Sequence, residues 1–80
     1  MAAYYVETKL SPETVIAKAL AAFGEGGAGL DVTEQSQCCA RFEGGGGHVF
    51  LTVSEGDKNK VDLETREWDY QVRQFMQRLG

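Results

Sequence analysis

With 80 residues, 42% of them hydrophobic and 25% charged, the chain reads as one domain. A domain of this size buries roughly 60% of its extendable surface, which allows a thin two-layer core and argues against a large internal cavity. The formal net charge is −4 and the Lys and Arg residues are scattered, which argues against a phosphate-binding face for nucleic acid and against docking on an anionic membrane.

No apolar run approaches the ~20 residues of a membrane span. The start, Met1-Ala-Ala-Tyr-Tyr-Val, lacks the basic region and apolar stretch of a signal peptide. The expectation is a cytoplasmic protein with no nucleic-acid or membrane partner.

Tyr4 to Leu10 alternates. Tyr4, Val6, Thr8 and Leu10 fall on one face and Tyr5, Glu7 and Lys9 on the other, which predicts a strand. Ser11-Pro12-Glu13-Thr14 then opens a helix: Ser11 suits the N-cap, Pro12 the first helical position, and Glu13 the positive end of the dipole. Val15, Ile16, Ala19, Leu20, Ala22 and Phe23 form its apolar stripe, and Gly24 is the natural stop. Glu25 to Gly29 reads as a flexible connection back to the sheet.

Leu30 and Val32 alternate with Asp31 and Thr33, and Cys38, Ala40 and Phe42 alternate with Cys39, Arg41 and Glu43. Leu30 to Glu43 is therefore either one strand or two with a turn near Gln35. A single strand would far exceed the usual length of about five or six residues. Two strands also let the first strand of the chain close antiparallel against the last, so two are favoured. Cys38 and Cys39 are adjacent, and neighbouring strand residues point to opposite faces. A bond between them would strain the backbone. The pair is expected to cross-link only between chains, with Cys38 packing as a small buried hydrophobe.

Gly44 to Gly47 separate that segment from a strand in which Val49, Leu51 and Val53 alternate with His48, Phe50 and Thr52. Four glycines between alternating runs imply a hairpin or a close-approach segment. A phosphate loop would need a Gly-Lys-Ser/Thr ending that opens a helix, whereas these glycines lead into His48 and a strand. Ser54 to Asn59 is turn chemistry, and Lys60 to Thr65 is the last strand. It runs into a helix reaching about Leu79, with Trp68, Val72, Phe75, Met76 and Leu79 on one side and Gly80 at its end. Asp69 and Arg73 are spaced for an i, i+4 pair.

The predicted fold is α+β. It is a two-layer structure with an antiparallel five-stranded sheet (β-α-β-β-β-β-α), spatial strand order 2-3-4-5-1, and both helices on one face. The inner face is expected to carry Tyr4, Val6, Leu10, Leu30, Val32, Cys38, Ala40, Phe42, Val49, Leu51, Val53, Val61 and Leu63. The segment Val61-Asp-Leu-Glu-Thr-Arg-Glu-Trp-Asp-Tyr-Gln-Val-Arg-Gln-Phe-Met and the stretch Phe42-Glu-Gly-Gly-Gly-Gly-His-Val resemble, in reduced form, the helix-grip arrangement of the START-like superfamily. That resemblance implies a sheet gripping the last helix and a ligand site between the two.

No catalytic, cofactor-binding or metal-ligating residue is predicted. His48 has no nucleophile within motif spacing, and two cysteines with one histidine do not make a four-ligand zinc site. Glu64, Glu67 and Asp69 read as a charge cluster at a helix start. Tyr4, Phe42, Trp68, Tyr70 and Met76 would line a groove between the last helix and the sheet. Tyr5, His48 and Phe50 are interface candidates on the otherwise polar sheet face. The favoured function is a non-enzymatic binding or interaction module whose partner is another protein or a second copy of itself. The alternatives are a binder of a small hydrophobic ligand and a small enzyme of unknown chemistry.

Overall fold

The computed structural model describes residues 2–79; Gly80 lies outside them. The elements are β1 (Ala2–Thr8), α1 (Pro12–Phe23), β2 (Asp31–Gln35), β3 (Cys39–Gly44), β4 (Gly47–Ser54), β5 (Asn59–Arg66) and α2 (Asp69–Leu79). The five strands form one antiparallel sheet in the order β1-β5-β4-β3-β2. The segment from Leu30 to Glu43 is thus two strands, and its turn falls at Ser36–Cys38, just beyond Gln35.

Local chemistry sets the ends of α1. The Ser11 hydroxyl accepts a hydrogen bond from the Thr14 N–H at 3.2 Å, and Pro12 occupies the first turn. At the other end the glycine-rich segment is not the loose connection expected. The N–H groups of Gly24, Ala28 and Leu30 donate to the carbonyls of Leu20, Ala22 and Phe23. These bonds satisfy the last helical acceptors and make the loop a wrapped cap.

The strand residues that meet across the ladders share a face. Ala40, Leu51 and Leu63 form one such row, and Phe42, Val49 and Thr65 another. All six are buried, and the five apolar ones join a single core cluster with Val15, Ile16, Ala19 and Phe23 of α1 and Val72, Phe75 and Leu79 of α2. Phe23 is the keystone. Its ring lies 5.5 Å from Phe42 and 5.1 Å from Phe75, tilted against both. Each such aromatic pair adds about 0.5–1.5 kcal/mol beyond area burial.

Two inner-face expectations are corrected. Val32 is 43% exposed and Cys38 is exposed. All five residues of β2 are exposed, so the helix layer stops short of it. Cys38 sits in the bend before β3 begins, where strand alternation does not apply, and it is bonded to Cys39 within the chain. At the β1 end Tyr4, Val6 and Leu10 are half-buried and pack on the core. Thr8 is buried there too, its hydroxyl donating to the Leu79 carbonyl at 2.8 Å and accepting from the Leu10 N–H.

Candidate functional site

The glycine run is a two-residue hairpin. Gly44 pairs with Gly47, and Gly45 and Gly46 both have positive φ, +58° and +80°. This is the turn whose twist matches the flanking strands. The hairpin seats the corner between β5 and α2. A methyl group at Gly47 would collide with the Arg66 carbonyl and lie 2.7 Å from Glu67 Cβ. Trp68 lies over Gly45, and its indole N–H donates to the Gly44 carbonyl at 3.0 Å. Glu67, at φ +76°, turns the chain from strand to helix, a conformation that side-chain-bearing residues seldom adopt. On the side facing α2, Trp68 and the Arg66–Glu67 backbone pack directly on the hairpin.

The five predicted groove residues occupy different settings. Phe42 is sealed in the core, and Trp68 belongs to the glycine corner. Tyr70 is 70% exposed on α2, while Met76 is half-buried against the core. The hydroxyl of Tyr4 donates to Asp69 Oδ2 at 2.7 Å, and the Arg73 guanidinium lies 5.9 Å from its ring centre. Asp69 thus bonds a strand residue rather than forming the helical pair with Arg73 that its spacing suggested. One concavity, of about 410 Å³, lies against α1, where Ile16 and Leu20 face Gln35, Ser36 and Gln37, and another, of about 280 Å³, is lined by Tyr70, Gln74 and Phe75 on α2.

Tyr5, His48 and Phe50 share the open sheet face. They do not form a continuous apolar patch, because β5 places Asp62 beside Tyr5 and Glu64 beside Phe50. Ion pairs lace this face, Arg41 with Glu43 at 3.3 Å and Lys60 with Asp62 at 3.7 Å, and His48 Nε2 lies 3.7 Å from Glu64 Oε1. The Arg41 guanidinium also lies 5.7 Å from the Phe50 ring centre, and the Lys60 ammonium 4.8 Å from that of Tyr5. Exposed ion pairs such as Arg41–Glu43 and Lys60–Asp62 contribute about 0–1 kcal/mol each, so their main effect is to solvate the face. Among the described residues no group of three His, Cys, Asp or Glu side chains is placed to hold a metal ion.

The sheet edges differ more than its faces. β2 is bulged between Val32 and Glu34 and carries Asp31 and Glu34, devices that blunt an edge against further pairing. β1 pairs with β5 in unbroken register from Ala2↔Thr65 to Thr8↔Asn59. Its sequence, Ala-Ala-Tyr-Tyr-Val-Glu-Thr, has a single charge and no proline. In an antiparallel edge strand alternate residues aim N–H and C=O away from the sheet. On β1 no described strand receives them.

The chain matches no known protein family. No curated protein and no solved structure is similar to it either. Among the described residues no helix is long and apolar enough to cross a membrane. Sequence reading picked out Tyr5 for being an aromatic on a polar face. It passed over the rest of β1, whose signal was the near absence of charge along a strand destined for an edge.

Proposed function

We propose that this protein is a non-enzymatic interaction module, built on a reduced helix-grip layout, that pairs with a second copy of itself through β1. The carrying observation is the contrast between a regular, nearly uncharged β1 edge and a bulged, acidic β2 edge. A two-fold axis at Tyr5, the middle residue of β1, generates antiparallel pairing of the strand with its own copy. Tyr4 then faces Val6 across the interface, an aromatic and β-branched pair of the kind that stabilises sheets. Both are left half-buried in the single chain, and the pairing completes their burial. On the open face Ala3 lies opposite Glu7, and Tyr5 meets its copy. One strand edge is a small contact, so the dimer is transient, with a dissociation constant in the micromolar range.

Sedimentation equilibrium tests this reading. The expected result is twice the chain mass at high concentration, with Tyr5→Lys raising the dissociation constant at least tenfold and Gln35→Lys on β2 leaving it unchanged. A wild-type chain that stays monomeric at millimolar concentration overturns the proposal.

A further inference from the structure

We propose that Cys38 and Cys39 form a thiol–disulfide exchange site whose redox state decides which face of the sheet Cys38 joins. The two are bonded to each other, with Cys38 exposed and Cys39 half-buried. A structural staple is a poor explanation for this bond. Stabilisation by cross-linking grows with the logarithm of the loop enclosed, and adjacent residues enclose no loop. Exposure leaves the sulfur of Cys38 open to attack by a thiolate from solution.

The co-reactant is a low-molecular-weight monothiol. Its thiolate attacks Cys38 Sγ, the bond to Cys39 breaks, and the electron pair leaves on Cys39 Sγ, which takes a proton. A second thiolate attacks the small-molecule sulfur of the resulting mixed disulfide, the electron pair leaves on Cys38 Sγ, which takes a proton, and the two monothiols depart as the small-molecule disulfide. One protein disulfide and two monothiols become two protein thiols and one small disulfide, and an excess of the small disulfide reverses the exchange.

The consequence follows from strand geometry. Cys39 opens β3 opposite Thr52, and the Cys38 carbonyl already accepts the Val53 N–H at 2.7 Å. Cys38 is therefore one residue from extending the ladder. Within the ladder its side chain would alternate onto the inner face with Ala40 and Phe42. The bond to Cys39 prevents that alternation and holds Cys38 in the bend, where its sulfur lies 3.5 Å from the Ser36 hydroxyl. Reduction removes the constraint, so β3 lengthens and Cys38 turns inward. Ser36 and Gln37, which wall the concavity against Ile16 and Leu20, move with it.

The test equilibrates the purified protein in graded mixtures of reduced and oxidised glutathione, traps thiols with iodoacetamide and weighs the intact chain. Amide spectra of the two end states are recorded alongside. The expected result is one reversible transition between chains carrying no label and chains carrying two. Amide shifts gather at Ser36, Gln37 and Cys38 and at Ile16 and Leu20, with α2 unmoved. The Cys38→Ala, Cys39→Ala double variant, which has no thiol to exchange, is expected to give the reduced-state spectrum at every glutathione ratio. Three results each overturn the proposal: labelling that requires denaturant, oxidation that yields only chains linked to one another, and reduction that shifts no amide on α1.

Discussion

The two ends of the sheet are built from the same alternating pattern and come to opposite fates. At the β1 end the inner-face residues lie beneath α2. Thr8 is tied to the last carbonyl of α2, and the Asn59 side chain donates to the Leu10 carbonyl at 2.8 Å. At the β2 end no residue is buried. The packed end keeps a regular edge and the bare end carries a bulge and acids. Edge protection thus sits where packing holds the strand least. The β1 edge remains free to pair.

The largest expected effect probes the packed side. Leu63→Ala, at a position 1% exposed beside Tyr4, is expected to cost about 2–5 kcal/mol in urea unfolding. Gly47→Ala forces the hairpin away from the β5–α2 corner, and a cost of about 1–3 kcal/mol is expected. Loss of the Trp68 bond should red-shift its fluorescence. Tyr4→Phe removes the hydrogen bond to Asp69, with an expected loss of about 0.5–1.5 kcal/mol. The smallest effect belongs to the bare side, where Val32→Ser is expected to stay within about 0.5 kcal/mol of wild type. A Val32→Ser cost rivalling that of Leu63→Ala would mean that β2 is covered in solution, and the contrast between the ends would fail.

The strands and helices were legible because period-2 and period-3.6 patterns report burial directly, and the spatial strand order followed from strand number and chain direction. Val32 misled because its alternation with Asp31 and Thr33 announces a face. How far α1 reaches across the sheet, which decides whether that face is covered, is a tertiary property. Cys38 misled for a different reason. Opposite-facing side chains are a rule for strands, and the residue lies one position outside β3. The tie of Thr8 to Leu79 spans almost the whole chain, beyond any local pattern. Of the proposed groove, the aromatic types were readable. The seat of Trp68 on the hairpin was not, because it depends on the close approach that Gly45 permits.

The most direct measurement is amide hydrogen exchange at two protein concentrations. The expected result is that alternate amides of β1 exchange more slowly at the higher concentration while those of β2 do not change. Exchange in β1 that is independent of concentration, or a change confined to β2, would contradict pairing through β1.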